Sequence, residues 1–336
     1  MLATVGVGIS AAITTAGMHY FSVWPWATAL VFGVLISATD PVSVIATFKE
    51  AGVKGRLRLV VEAESLFNDG TEAVGFTVAV ALASRGSLTA VQMTTMLLVT
   101  TAGGVLCGLA IGGLILLLTW RTEDHLVELT FTTVAAYGAF LLAEHFHFSG
   151  VLATLTTGLL LGNLSPMGAL STKAGDAVHV FWEYAALANS FVFLLLGMRE
   201  AQQQFRAFWF SAVVAVCVVT ISRAAAVYPT CLLFSRSQLR MEFTHQHVLV
   251  WGGLRGALAL ALALGLPAEV PQRESILAVS FAVVALSIFV QGLTMKPLLR
   301  RGWGNFVLMG SVQSPRVTRA YSTTMTRCPV FSVQEM

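Results

Sequence analysis

Long apolar segments alternate with short polar connections along most of the chain, and this pattern predicts a helical membrane protein. A bilayer core about 30 Å thick needs about 20 mostly apolar residues in each helix that crosses it. Ten segments meet this requirement, and they lie near residues 2–20, 26–48, 58–83, 91–119, 126–146, 148–164, 178–198, 206–234, 246–266 and 274–299. We therefore expect an all-α polytopic membrane domain over residues 1–302 and a poorly ordered cytosolic tail over 303–336.

The composition supports this class, because 56% of the residues are apolar and only 11% are charged. An average soluble domain is about a quarter charged, so an ordinary cytosolic enzyme and a nucleic-acid binder are both excluded. No serine–histidine arrangement or HExxH motif stands out, which disfavours an intramembrane enzyme. Lys and Arg concentrate in the loops on one side of the predicted spans, so both termini are expected in the cytoplasm.

The third predicted span carries an unusual run of polar residues. At about 100° per residue, five of them share an arc of about 140°: Glu64, Ser65, Asn68, Asp69 and Glu72. A polar stripe facing lipid is unfavourable, so this face is expected to look into protein or a water-filled cavity. Asp69 lies near mid-span, and one carboxylate that can hold either a cation or a proton is the minimum chemistry for exchange. The alternative is a buried carboxylate that its neighbours satisfy.

The second span contains a predicted helix break at Asp40 and Pro41. Pro41 has no N–H and clashes with the preceding turn, so the carbonyl of Ser37 loses its helical partner. In hydrocarbon, freed backbone is tolerated only where it is buried or lines a cavity. Thr39 and Asp40 add acceptors at the same point. Broken helices at the bilayer midplane are typical of ion-coupled transporters, with a simple proline kink as the alternative.

The ninth span has a similar predicted break near residues 252–256. Arg255 lies there among three glycines that weaken the helix, Gly252, Gly253 and Gly256. Two interrupted spans lying far apart in the chain suit an inverted repeat.

Two further features concern the packing of the spans. Arg223 lies midway along the eighth span and needs an anionic partner, for which Glu64 is the best candidate. Such an ion pair would be structural and would lock the third span to the eighth. A run of small residues in the fourth span favours close helix packing, and it consists of Gly104, Gly108 and Gly112.

Three stretches resemble sodium/proton antiporters of the monovalent cation:proton antiporter-1 family, and bacterial members look closest. They are Ser-Ala-Thr-Asp-Pro-Val at 37–42, Glu-Ser-Leu-Phe-Asn-Asp-Gly at 64–70 and Trp-Gly-Gly-Leu-Arg-Gly-Ala at 251–257. The match covers nearly all of residues 1–300 and continues through Leu142-Ala143-Glu144, Ser149-Gly150, Leu161-Gly162-Asn163, Phe181-Trp182-Glu183, Arg223-Ala224 and Val290-Gln291-Gly292. These motifs are long and occur in the family's order.

The resemblance implies an antiporter fold of about thirteen helices, with two inverted repeats and crossed broken helices. Asp69 would bind the cation (Na⁺, Li⁺ or K⁺) or the proton in turn during alternating access. Residues that supply or orient neighbouring ligands would be Asn68, Ser65, Glu64 and Thr39. The crossing would comprise Asp40, Pro41, Gly252, Gly253 and Arg255. Glu64 and Arg223 would form the family's buried ion pair.

The resemblance also carries expectations about stoichiometry, organisation and partners. The family associates an Asn-Asp pair, here Asn68 and Asp69, with electroneutral exchange. The core ion-site spans would be about 2–83 and 206–299, and the dimerisation or linker spans about 91–198. Beyond the transported Na⁺ and H⁺ no cofactor is expected. The expected partners are the lipid bilayer of the plasma membrane and a second copy of the chain. The homodimer is expected only if the family's missing N-terminal helices are present.

The chain departs from the family pattern in two ways. The family has about three further helices before the position matching Ala3, so an N-terminal truncation is expected. The alternative to exchange is therefore a truncated, non-transporting paralogue or fragment that acts as a membrane partner subunit. The second departure is Glu72, which stands where the family has a small residue. Its carboxylate would either repel the charge on Asp69 or add a ligand.

Overall fold

The chain is all-helical in the computed structural model, which describes residues 1–51, 55–119, 124–164, 208–235 and 240–303, with individual helical residues between 177 and 198. No strand occurs in these ranges. The helices are α1 (Val7–Ser22), α2 (Trp26–Leu35), α3 (Val42–Ala51), α4 (Arg56–Arg85), α5 (Ala90–Thr119), α6 (His125–His145), α7 (Gly150–Leu164), α8 (Trp209–Leu233), α9 (Phe243–Trp251), α10 (Ala257–Leu264), α11 (Arg273–Leu286) and α12 (Leu293–Trp303). A π-helical turn, Leu2–Gly6, precedes α1, and a second one, Ser287–Gly292, joins α11 to α12.

These helices confirm the expected all-α membrane class. Among the described residues, five helical stretches are long and apolar enough to cross a bilayer, namely Leu2–Ser22, Ala90–Thr119, Leu126–His145, Trp209–Leu233 and Arg273–Leu299. The apolar helix α7 is shorter, and α4 is long enough but carries the polar run. The span predicted near 178–198 is described only in part, and Glu183 and the tail from residue 304 lie outside the described residues.

Both predicted helix breaks are present. In the second span, α2 ends at Leu35 and α3 begins at Val42, with Pro41 directly before the new helix. In the ninth span, α9 ends at Trp251 and α10 begins at Ala257. The intervening segments are not helical, so each of these spans consists of two half-helices of eight to ten residues.

The main apolar core holds the first broken span in place. Helix α1 packs against α2 and α8, and α11 packs against α2 and α8 from another side. Fully buried side chains of this core include Met18, Phe32 and Ile276. The half-helix α2 is therefore enclosed by α1, α8 and α11.

The glycine run of α5 packs closely against α7, as the small-residue spacing predicts. An added Cβ at Gly104 would lie 2.7 Å from the carbonyl oxygen of Ser149, and one at Gly108 would overlap the carbonyl oxygen of Ala153. The Thr157 hydroxyl also donates to the Gly108 carbonyl at 2.9 Å. The close approach of the two helices therefore requires glycine at these positions.

We predict that Gly108→Leu lowers the thermal stability of the purified protein, because the leucine must separate α5 from α7. Overpacking of this kind costs about 1–3 kcal/mol. The matched control is Gly113→Leu on the same helix, where an added Cβ meets no described atom within 4 Å. Thermal unfolding in detergent measures both variants, and equal melting temperatures for the two would contradict the packing argument.

Candidate functional site

The two helix breaks cross, and each supplies hydrogen-bond partners to the other. The N–H of Asp40 donates to the carbonyl of Leu254 at 2.8 Å. In the opposite direction, Nη1 of Arg255 donates to the carbonyl of Ser37 at 2.5 Å and to that of Ala38 at 2.7 Å. The carbonyl of Ser37, which the sequence predicts to be freed, is therefore bound by a side chain from the other break.

Charges of opposite sign lie at opposite helix ends of this crossing. Arg255, which is 1% exposed, contacts the carbonyl end of α2, where the helix dipole is negative. Asp40 lies against Gly256 at the start of α10, where the dipole is positive, and an added Cβ at Gly256 would overlap the Asp40 side chain. Glycine at position 256 is therefore required by close approach.

Ser287 contacts the second break at Arg255, and the sequence pattern did not predict this role. Its hydroxyl accepts the backbone N–H of Arg255 at 3.2 Å and donates to the carbonyl of Val284 at 2.9 Å. A serine in an apolar helix commonly bonds only to its own backbone, so its residue type alone carries little signal. The available signal in the sequence was its place three residues before the motif at 290–292.

The polar face predicted on α4 is turned towards the protein interior. Its buried members are Glu64, Ser65, Asn68 and Glu72. On the other side of the same turn, Leu66 is 44% exposed and Phe67 is 48% exposed, as suits contact with lipid. Asp69 is partly exposed, in contrast to its polar neighbours.

Asp69 lines a cavity of about 140 Å³ beside the crossing. The cavity is lined by Ala38, Thr39 and Asp40 from the first break, Asp69 and Glu72 from α4, and residues 256–259 at the start of α10. Carboxylate and hydroxyl oxygens of this kind suit a hard monovalent cation. The volume is far above the ~10–15 Å³ that one water needs, so a cation could enter with some of its hydration shell.

Asn68 and Ser65 do not line this cavity, but both contact Thr39, which does. Nδ2 of Asn68 donates to the Thr39 hydroxyl at 2.9 Å, and the hydroxyls of Thr39 and Ser65 lie 3.4 Å apart. Of the ligand set that the resemblance implies, the structure therefore brings Asp69 and Thr39 to the cavity. Asn68 and Ser65 orient Thr39.

Glu64 lies away from the cavity and forms a buried ion pair. Its Oε1 accepts from Nη1 of Arg223 at 2.5 Å, and the two side chains are 4% and 8% exposed. Nε and Nη2 of Arg223 donate to the Leu249 carbonyl at 3.3 and 3.2 Å. An added Cβ at Gly253 would lie 2.7 Å from Nε, and one at Gly252 would lie 2.7 Å from the carbonyl oxygen of Val248. The pair expected from the sequence thus ties α4 to α8 and to the end of α9.

The fold and the site together define a multi-pass membrane protein in which two broken helices cross beside a carboxylate-lined cavity. This arrangement is typical of secondary transporters. Residues 1–301 match the family described as sodium/hydrogen exchanger, transmembrane, and the chain belongs to this family.

Similar proteins agree with that membership. The chain is 36% identical over 307 residues to the low-affinity Na⁺/H⁺ antiporter NhaS1 of Synechocystis, and the matched region covers 89% of this chain and 58% of NhaS1. It is 39% identical over 278 residues to the Na⁺/H⁺ antiporter NhaG of Bacillus atrophaeus, and here the matched region covers 81% of this chain and 52% of NhaG. The chain thus spans little more than half the length of these relatives. The solved structure of the sodium proton antiporter MjNhaP1 from Methanocaldococcus jannaschii has the same fold, with a TM-score of 0.74 at 19% identity over 88% of this chain and 76% of that one.

We predict that Glu64→Gln destabilises the protein strongly, because it leaves the buried charge of Arg223 without its counter-ion. Removal of one partner of a buried ion pair costs about 3–5 kcal/mol. The control is Glu62→Gln on the same helix, which breaks an ion pair with Arg58. In that pair the side chain of Arg58 is 37% exposed and that of Glu62 is 38% exposed. An exposed pair is worth about 0–1 kcal/mol. Thermal unfolding should separate the two variants clearly, and a similar loss in both would contradict a structural role for the buried pair.

Proposed function

We propose that the protein is a secondary active antiporter that exchanges Na⁺ for H⁺ across the plasma membrane, with Asp69 binding the cation or the proton in turn. The observation that carries the proposal is the cavity in which Asp69 meets the crossing of two broken helices. Membership of the sodium/hydrogen exchanger family supports Na⁺ and H⁺ as the substrates, and Li⁺ or K⁺ could replace Na⁺ at an oxygen-lined site.

The chemistry needs only one carboxylate whose partner can change. Na⁺ and H⁺ each add one positive charge to Asp69, so the charge of the loaded site is the same in both directions of transport. The neighbouring Asn68 adds no charge, and its amide is engaged by Thr39 at 2.9 Å. If the charge on Glu72 stays constant through the cycle, one Na⁺ moves for each H⁺ and the exchange is electroneutral.

The crossing also provides a physical basis for alternating access. The four half-helices α2, α3, α9 and α10 are short, and the breaks between them are joined by hydrogen bonds from Asp40 and Arg255. We propose that the joined breaks move as one unit with α4 and expose the cavity first to one side of the membrane and then to the other. An inverted repeat makes the two directions structurally similar.

The proposal extends to topology and assembly. The concentration of Lys and Arg in the loops of one side supports cytoplasmic termini. Spans near 2–83 and 206–299 would hold the ion site, and spans near 91–198 would serve dimerisation and linkage. A homodimer is expected if the family's further helices are present.

We predict that Asp69→Asn strongly slows Na⁺-dependent proton movement, because the amide can bind neither partner as a charged carboxylate does. Purified wild-type and variant chains are reconstituted in liposomes that contain a pH-sensitive dye, and a Na⁺ gradient is imposed. We expect the initial rate to fall by about tenfold or more in Asp69→Asn. In Glu274→Gln it should stay unchanged, since Glu274 is an exposed carboxylate outside the cavity.

Two further results bear on the proposal. Clamping the membrane potential should leave the wild-type rate unchanged if the exchange is electroneutral. Equal rates in wild type and Asp69→Asn would overturn the role of Asp69. A folded, reconstituted wild-type chain that shows no exchange would contradict transport and favour a non-transporting partner subunit.

A further inference from the structure

Glu72 is a buried carboxylate that no contact in the described structure fully accounts for. It is 1% exposed and its carboxylate accepts the backbone N–H of Ala38, but its Oε1 has no hydrogen-bond partner among the described residues. Glu64, one of the other buried carboxylates, is paired with Arg223 at 2.5 Å. A buried acceptor without a partner is costly, so a further partner is expected at this oxygen.

The position of Glu72 suggests what that partner is. Glu72 follows Asp69 by three residues on α4, so the two side chains leave the same face of the helix, and both line the cavity beside the crossing. The glutamate side chain is one methylene longer than that of aspartate, which extends its reach from the next turn. The cavity therefore has two carboxylates from one helix face.

Arg255 is a candidate for a counter-charge, but it does not satisfy this oxygen. Its Nη1 donates to the carbonyls of Ser37 and Ala38, and Oε1 of Glu72 stays without a partner in the described structure. The third carboxylate of the cavity, Asp40, lies against Gly256 at the positive end of α10. The carboxylate of Glu72 thus lines a cavity large enough for a cation.

We infer that Glu72 contributes a carboxylate oxygen to the transported cation, beside Asp69. This inference rests on the proposed function and adds a specificity-determining residue to its site. A second carboxylate replaces more of the hydration that Na⁺ loses on entry, so it favours the cation and raises the affinity of the site for Na⁺. The competing explanation is a structural one, in which Glu72 only offsets the charge of Arg255 through space.

The test compares wild type with two variants. Glu72→Gln keeps the shape of the side chain and removes the carboxylate. Glu72→Asp keeps the carboxylate but shortens the side chain by one methylene, which moves it away from the cavity. The matched control is Glu62→Gln, which removes a carboxylate from the same helix outside the cavity. One measurement is the shift in melting temperature of the purified chain as NaCl replaces choline chloride at constant ionic strength. The other is the initial rate of exchange in liposomes as a function of Na⁺ concentration.

In Glu72→Gln we expect the apparent KM for Na⁺ to rise by about tenfold with a much smaller change in kcat. The Na⁺ concentration that stabilises the fold should rise by a similar factor. Glu72→Asp should lie between wild type and Glu72→Gln, and Glu62→Gln should match wild type. If Glu72→Gln does not fold, the shift in Glu72→Asp decides the question.

A wild-type Na⁺ dependence in Glu72→Gln would overturn the inference while leaving the proposed exchange intact. The inference also fails if Glu72→Gln melts at a lower temperature in choline but keeps its response to Na⁺, because that result indicates a purely structural role. If the wild-type chain exchanges nothing, the proposed function fails, and the stabilisation by Na⁺ decides on Glu72 alone. Stabilisation that needs a higher Na⁺ concentration in Glu72→Gln would support the ligand, and an unchanged or absent response would overturn it.

Discussion

The contact of Arg255 with the carbonyls of Ser37 and Ala38 is the constraint on which the rest of the site depends. A helix can stop in the middle of a bilayer only if its free carbonyl and N–H groups find other partners. The guanidinium satisfies two carbonyls at the end of α2, and the N–H of Asp40 satisfies Leu254 of the other break at 2.8 Å. Neither break is complete without the other, so the crossing fixes both half-helix ends at once.

Helix α4 is fitted to that crossing by residues spaced one turn apart. Glu64, Asn68 and Glu72 follow each other at intervals of four, so they lie along one face of the helix. Each has a different neighbour: Glu64 pairs with Arg223 of α8, Asn68 donates to Thr39 of the first break, and Glu72 lines the cavity. The first two contacts hold α4 at a defined rotation and height. Asp69 is thereby brought to the cavity without any hydrogen bond of its own being needed to hold the helix.

Much of this arrangement could be predicted from the sequence, because a charge or a break in hydrocarbon demands a partner. That argument predicted the breaks at Pro41 and at Gly252–Gly256, the inward polar face of α4 and the pairing of Glu64 with Arg223. It could not predict which acceptors Arg255 binds, since these are backbone carbonyls whose availability depends on how the two breaks cross. Nor could it separate Thr39, which lines the cavity, from Ser65 and Asn68, which bind Thr39 from behind. Periodicity assigns residues to a face of a helix, and the neighbouring helix decides which of them reach the cavity.

Glu64, Asp69 and Glu72 of α4 differ in whether a described side chain pairs with the carboxylate, and this difference bears on transport. A carboxylate can take part in exchange only if its partner is able to leave. The partner of Glu64 is a guanidinium held by the Leu249 carbonyl and packed against Gly253, so it cannot leave without breaking the contact between α4 and α8. Asp69 and Glu72 instead face a cavity from the same helix. A site whose carboxylates were all satisfied by the protein would be more stable but would have nothing to exchange. Stability of the crossing and incompleteness of the cavity are therefore complementary requirements, and α4 meets both with residues less than three turns apart.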